Sequence, residues 1–322
     1  MTASPRARRR LAGLALALRL ALVKLVAIVP TLLIVATLLF FLLRLAPGGP
    51  FDRERAAPPE VMRALEHKYH LDESLFAQYG RWLTDLLFHG DLGPCFKYPH
   101  RTVNEIIGAT LPVSMHLGLM ALLVALAIGI PLGVVGAARQ NRWQDTLSMA
   151  AALVGLSVPR FVLAPLLVLA FSLGLYWLPV ARWESWRHMI LPVVCAALPT
   201  AAYVARLTRA GLIEILGADF IRTARAKGLS ERRILFVHAL RGGLLPVVSY
   251  LGPGFSGLLV GSLVVEKIFN IPGMGRYFVE AALSSDYALL TGVTLVYGAL
   301  LMVSNAAVDV AYALLDPRVR GT

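Results

Sequence analysis

Charge is what this 322-residue chain has least of: 16% of its residues are Asp, Glu, Lys or Arg, against 57% hydrophobic, and its mean hydropathy is +0.69. Soluble domains carry about a quarter charged residues, so a water-soluble globule is excluded and a chain that crosses a membrane repeatedly is indicated. Cysteine is nearly absent. Cys95 falls in a polar loop and Cys195 in an apolar run, which argues against a disulfide between them, excludes a cysteine metal cluster and leaves two unpaired thiols. Catalytic signatures are missing as well: there is no G-x-x-x-x-G-K-[ST] phosphate loop, no H-E-x-x-H, no G-x-S-x-G and no Cys/His cluster, so no nucleotide, hydrolase or metal site is recognisable. The net charge of +12 raises nucleic acid as a partner. Without zinc-ligand spacing or a basic region with heptads, basic loops beside anionic lipid account for it better.

What is present is a series of apolar runs. Windows free of Asp, Glu, Lys and Arg occur at 25–43, 110–138, 161–181, 188–205, 242–265 and 287–308, and a spanning helix needs about 20 such residues. The stretch 146–159 is apolar but short, and Arg160 separates it from the third window. It is expected to begin the third helix, bent near Ser157-Val158-Pro159 because proline breaks the hydrogen-bond ladder. The arginines from Arg6 to Arg10 before the first run imitate a secretory signal. That run continues to Leu43 and ends in Arg44 without a small-residue cleavage site, so an uncleaved first span is expected.

Six spans put the N-terminus, the connection at Arg139 and Arg142, the segment 206–241 and the C-terminus on one face. Segment 206–241 alone holds eight Lys or Arg, whereas the opposite short loops, 182–187 and 266–286, hold two each. The positive-inside rule then makes both termini cytoplasmic; a seventh span would carry the basic segment outside. The expected parts are a basic cytoplasmic N-terminus (1–24), a first transmembrane helix (25–43), a periplasmic loop (44–109), a five-helix core (110–314) with a cytoplasmic coupling region at 206–241, and a cytoplasmic C-terminus (315–322). In the long loop, Val61, Leu65, Leu71, Leu75, Tyr79, Trp82 and Leu86 recur at roughly helical spacing, and Gly90-Asp-Leu-Gly-Pro94 reads as a turn. Such a helix is either a cap packed on the bundle or a docking surface for an external partner. Gly129-x-x-x-Gly133 and Gly257-x-x-x-Gly261 permit close helix approach, and Pro131, Pro192 and Pro199 are expected to interrupt their helices.

The spans offer a path without a source of energy. The middle thirds of the six windows contain no carboxylate, where an ion-coupled carrier places costly ionisable groups. Asp309 lies near one end of the last span and is expected to be solvated there, and His116 is expected to make a helix–helix hydrogen bond rather than relay protons. Attention therefore turns to the basic island. Residues 214–227 can form a helix with Phe220 and Ile221 on one face and Arg222, Arg225 and Lys227 around it. Gly228 can end it in a left-handed cap, Ser230 can N-cap the next helix, and Ile234, Leu235, Val237, His238 and Leu240 lead toward Pro246. A basic surface helix can simply bind lipid headgroups. The small track Ala224, Ala226, Gly228 instead suggests close approach by a groove on another protein.

The wording of this island, Phe-Ile-Arg-Thr-Ala-Arg-Ala-Lys-Gly-Leu followed by Arg-Arg-Ile and His-Ala-Leu-x-x-x-Leu-Leu-Pro-Val, resembles the cytoplasmic loop of permease subunits of peptide ABC importers. So do Arg44-Leu-Ala-Pro-Gly-Gly-Pro50, Gly90-Asp-Leu-Gly-Pro94 with Phe96-Lys97-Tyr98, Val158-Pro159-x-Phe161, Ile271-Pro-Gly-Met-Gly275 and Asp316-Pro-Arg318. The match runs from about Leu25 to the end and is closest to the oligopeptide branch. The resemblance implies an all-α polytopic membrane protein with the six-helix type I ABC importer permease architecture, in the bacterial inner membrane. It implies no catalysis and no cofactor in this chain, since ATP and Mg would be bound by partner subunits. The implied partners are a second homologous permease, two ABC ATPase subunits, a periplasmic or extracellular peptide-binding protein and membrane lipid. The implied ATPase-coupling residues are Asp219, Phe220, Ile221, Arg222, Thr223, Ala224, Arg225, Ala226, Lys227 and Gly228. Ala224 and Gly228 stand where the general importer loop has its second alanine and its glycine, while Thr223 replaces its first alanine and Arg222 its glutamate. The same architecture serves dipeptides, nickel or glutathione, and a carrier driven by an ion gradient is the rival reading.

Overall fold

The computed structural model describes residues 5–45 and 58–315, with side chains from 22 to 310 within those ranges. Helix α1 (Pro5–Leu45) is continuous, so the basic start and the first span share one helix. The described residues hold no named strand; helices α2 (Pro59–Lys68), α3 (Leu75–Thr84), α4 (Val103–Ala138), α5 (Trp143–Ser157), α6 (Arg160–Leu167), α7 (Trp186–Leu216), α8 (Asp219–Ala226), α9 (Glu231–Arg233), α10 (Leu240–Gly243), α11 (Leu245–Ile268), α12 (Met274–Ser284) and α13 (Tyr287–Leu315) follow. The expected motifs at Ala46–Pro50 and Asp316–Arg318, and the side chains of the N-terminal arginines, lie outside the described residues.

Five helices are each long and apolar enough to cross a bilayer: α1, α4, α7, α11 and α13. The sixth crossing is the pair α5 and α6, bent by 103° at Val158-Pro159. Its neighbours show that it runs from one end of the bundle to the other. Asp145 at its start binds Arg209 near the far end of α7, the Cys195 thiol reaches the Arg160 carbonyl, and Arg182 beyond it donates its backbone N–H to Phe269 at the other end of α11. The bend predicted from Pro159 is present. Pro131, Pro192 and Pro199 do not interrupt their helices; α4 and α7 run through all three. One end of the bundle carries the island and is called the island end; the other is the cap end.

Small residues set the main helix contact. A Cβ on Gly129 would come within 2.5 Å of the Ala201 carbonyl, and one on Gly133 within 2.5 Å of the Ala205 carbonyl, so α4 lies directly on the backbone of α7. The second small-residue pair behaves differently: Gly257 meets nothing within 4 Å, and Gly261 faces the Arg160 guanidinium rather than a helix backbone. At the island end, Lys24 of α1 forms an ion pair with Asp309 of α13. Asp309 therefore ties two spans together rather than simply meeting solvent. His116 makes no helix–helix bond; its ring stands edge-on to Trp183, 5.8 Å between centroids.

The long loop folds into the cap. The predicted helical spacing breaks at residues 69–74, giving α2 and α3, with Ser74 accepting from the Ala77 N–H as N-cap. Phe40 of α1 is buried against Tyr79 and Trp82, with centroids 5.2 and 5.4 Å away. Thr37 meets the Tyr79 hydroxyl at 2.8 Å, and Arg44 donates to Gln78. The turn at Gly90 to Pro94 is as expected: Gly90 and Gly93 take positive φ (64° and 99°), and Asn104 clamps the turn from the first helical residues of α4.

Candidate functional site

The island is a continuation of a membrane helix. At about 1.5 Å per residue, the 31 residues of α7 extend well past a bilayer core of about 30 Å. Glu214 therefore belongs to the stem of α7, and α8 begins only after the break at Gly217-Ala218. Adjacent helical residues are about 100° apart, and this separates Phe220 from Ile221, which the sequence had placed on one face. Phe220 is 53% exposed and Ile221 fully buried. Ala224, one turn later, is buried too, so it anchors α8 inward and is not part of an open small-residue track. Ile221 and Ala224 join Ala137 from α4, Leu212 from α7, and Ile234 and Ala239 beyond the turn in one apolar cluster. The outward face keeps Asp219, Phe220, Arg222, Thr223, Arg225, Ala226, Lys227 and Gly228 exposed.

Gly228 makes the turn. Its φ of +80° is a left-handed conformation that costs a non-glycine residue about 1–2 kcal/mol, and its N–H closes on the Arg225 carbonyl. Across that turn Arg225 grips Glu231 with two hydrogen bonds, 2.8 and 3.2 Å, and the guanidinium holds the Glu231 carboxyl below the usual range. Ser230 occupies the N-cap position with extended backbone but makes no side-chain cap bond. The helix it begins is short; a π-helical turn over Ile234–Ala239 and then α10 carry the chain to α11. Val237 is 63% exposed and Phe236 59%, so only Ile234 and Ala239 of this stretch are fully inward.

Two contacts tie the stem of α7, just before α8, to neighbouring elements. A Cβ on Gly211 would lie 2.4 Å from the Gly243 carbonyl, so the stem of α7 and the approach to α11 touch backbone to backbone. Two residues toward the membrane, Arg209 binds Asp145 of α5 at 2.6 and 2.7 Å through both carboxylate oxygens. Among the described residues, no group of three or more His, Cys, Asp or Glu is placed to hold a metal.

With this geometry established, similarity to known proteins decides the class. Residues 129–321 match the family described as binding-protein-dependent transport system inner membrane component. The chain belongs to that family. This inner-membrane component is 49% identical over 295 residues to the oligopeptide transport system permease protein OppB of Salmonella typhimurium, covering 91% of this chain and 96% of the relative. It is 47% identical to OppB of Escherichia coli K12, with 91% and 96% covered. To the dipeptide transport system permease protein DppB of Bacillus subtilis it is 42% identical, with 91% and 95% covered. A chain of the MetNI methionine ABC transporter, in an inward-facing conformation, matches with a TM-score of 0.56 at 16% identity, covering 66% of this chain and 96% of that one. The fold is thus that of a type I ABC importer permease.

Several functional features escaped sequence reasoning. Segment 266–286 contains α12 and two buried carboxylates. Glu266, counted there as part of an external loop, is fully buried at the end of α11. It accepts from Ser114, Ser262 and the Gly275 N–H, each at 2.8 Å. The Pro-Gly-Met-Gly motif folds over it: a Cβ at Gly273 would sit 2.4 Å from its carboxylate. Asp286 accepts from the Cys95 thiol and the N–H groups of Phe96 and Lys97. Burial first, then that hydrogen bond, push the Cys95 thiol up to about 12. The glycines of the motif were the one available signal, since paired glycines beside a polar residue mark close packing on something small.

Proposed function

We propose that this chain is one of two permease subunits in an ATP-driven importer of oligopeptides, and that α8 with Gly228 is its coupling element. Two ABC ATPase subunits would receive the exposed face of α8, namely Asp219, Phe220, Arg222, Thr223, Arg225, Ala226 and Lys227, in grooves on their surface. Ile221 and Ala224 would hold the helix to its own bundle. A second homologous permease would supply the other half of the path, and a peptide-binding protein would deliver cargo at the cap end. The island end would face the cytoplasm with both termini, as the excess of Lys and Arg there requires. ATP and Mg would be bound by the ATPases, leaving this chain without a cofactor or a catalytic group.

The observation that carries this reading is the construction of α8. One face is anchored by Ile221 and Ala224, the opposite face is free, and the ends continue into α7 and α11. ATP binding acts by favouring one of two arrangements of the ATPases, and α8 would convey that choice to α4, α5, α7 and α11. Gly228→Pro tests it, because proline fixes φ near −65° where the turn needs +80°. In the complete complex reconstituted in liposomes, the variant is expected to hydrolyse ATP while losing most peptide uptake. Uptake per ATP equal to that of wild type would overturn the joint. Dipeptides are the second reading, because a dipeptide permease is 42% identical over nearly the same span. Nickel or glutathione would need the same architecture with another binding protein. A carrier driven by an ion gradient would instead show uptake by this chain alone without ATPases. Glu266 gives that carrier no coupling site, because neutral donors already surround it.

A further inference from the structure

Arg160 is the charged residue of the spans that its surroundings explain least. It sits at the break between α5 and α6, its carbonyl beside Cys195 and its guanidinium laid on Gly261. Cys195 is about 14 Å, at 1.5 Å per residue, from the cap-end start of α7, and Gly261 about 10 Å from the cap-end finish of α11. Arg160 therefore lies two to three helical turns inside the cap-end limits of α7 and α11, within the length of a bilayer core of about 30 Å. The polar groups that face it are the Cys195 thiol and the Tyr250 phenol, with no carboxylate beside it among the described residues. The buried charges at the two ends of the bundle have their partners: Asp145 has Arg209, and Glu266 has Ser114, Ser262 and Gly275. Arg160 stays half-buried rather than enclosed.

A guanidinium in that position cannot face hydrocarbon without large cost, so it must border a polar path or a charged partner. Its surroundings fit a path. Tyr250 packs on Tyr203 with ring centroids 4.5 Å apart, and Gly257, one turn before Gly261 on α11, has nothing within 4 Å of its Cβ position. From Tyr203 the same face continues into a recess of about 630 Å³ lined by Leu153, Leu207 and Arg206, leading toward the island end. The outer face of α1 is the opposite case: Leu22, Val26, Ile34 and Leu42 are each 61–70% exposed, an aliphatic surface suited to lipid.

We propose that Arg160 is the point in the translocation path that holds the C-terminal carboxylate of the peptide in transit. A planar guanidinium pairs a carboxylate through two parallel hydrogen bonds, and a C-terminal carboxylate is the one anionic group that peptides of every sequence share. Gly261 makes this geometry possible by leaving room for the guanidinium. The inference rests on the peptide-importer reading.

The test is ATP-driven uptake by the complete complex in liposomes of one neutral-side-chain peptide, offered as the free acid and as the C-terminal amide. The same binding protein serves wild type and variant, so its own preference cancels when the acid-to-amide ratios are compared. Arg160→Gln is expected to lower acid uptake about five- to tenfold while changing amide uptake little. Arg160→Lys should keep much of the preference for the acid. Gly261→Ala displaces the guanidinium without removing its charge, since the new Cβ would overlap the flexible Nη1; it should lower the ratio too and keeps the proposal testable if Arg160→Gln does not assemble. Equal losses for acid and amide would overturn the proposal and indicate a permanent pair with a carboxylate of the second permease; an unchanged ratio would overturn it as well. Absence of ATP-driven peptide uptake in the wild type would count against the importer reading itself.

Discussion

The two ends of the bundle answer carboxylates in different ways. At the cap end, the buried Glu266 and Asp286 are met by hydroxyls, a thiol and backbone N–H groups, while the less buried Glu280 and Glu73 take ion pairs with Arg276 and Arg81. At the island end, Asp145 meets Arg209, Glu231 meets Arg225 and Asp309 meets Lys24. Neutral donors on a folded backbone have fixed positions, so they lock a loop into one shape. Ion pairs join separate elements, and an exposed one such as Arg225–Glu231 can break and re-form in water at modest cost. The buried carboxylates of the cap end thus fix loops in place, whereas the buried Asp145 of the island end ties one span to another.

Removing the cap-end anchor should have the largest effect. Glu266→Ala strands the Ser114 hydroxyl and the Gly275 N–H, at about 1–3 kcal/mol for each unsatisfied buried group, while the Ser262 hydroxyl keeps the Leu259 carbonyl. The expected loss of about 3–5 kcal/mol would appear as a marked fall in the temperature at which the detergent-solubilised complex aggregates. An unchanged temperature would remove the distinction between the two ends. Next comes Arg209→Ala, which leaves Asp145 buried beside no cation. Stranding one partner of a buried pair costs about 3–5 kcal/mol, and the 29% exposure of Arg209 places this case near the lower bound. The double variant with Asp145→Ala should recover part of the loss, and strict additivity in thermal aggregation would show that the pair is not coupled.

The smallest effect belongs to the exposed clasp across Gly228. Glu231→Gln should cost about 0.2–1 kcal/mol, read as slightly faster amide hydrogen exchange over 219–233. Because Arg225 depresses the Glu231 pKa in the folded state, the contribution is present above the unfolded value and is lost as pH falls through the lower folded one. Wild type and variant should therefore converge in exchange rate under acid and differ at neutral pH. A difference that grew on acidification would reverse the sign and count against the clasp.

How much of this was legible depended on the range of the interaction involved. The spans were readable because a helix in hydrocarbon must satisfy its own backbone and show an apolar surface, which marks 25–43 or 287–308 without reference to the rest of the chain. The bend at Pro159 and the turn at Gly228 were equally local. Mistakes arose where neighbours decided. Pro131 and Pro199 stay within helices because α4 and α7 are held against each other, and Gly257 and Gly129 carry the same spacing while only Gly129 has a helix against it. Nothing near Glu266 in sequence reveals Ser114, more than a hundred residues away.

By itself, the sequence determined an apolar six-crossing chain with one basic island, since hydropathy and charge act residue by residue against lipid and water. The tertiary structure decided which face of that island is free. Ile221 and Ala224 point inward only because Ala137, Leu212 and Ile234 arrive from distant parts of the chain to bury them. It also decided that Arg160 lies inside the bundle against Gly261 without a carboxylate beside it among the described residues, because depth and partners belong to the packed bundle and not to any single helix.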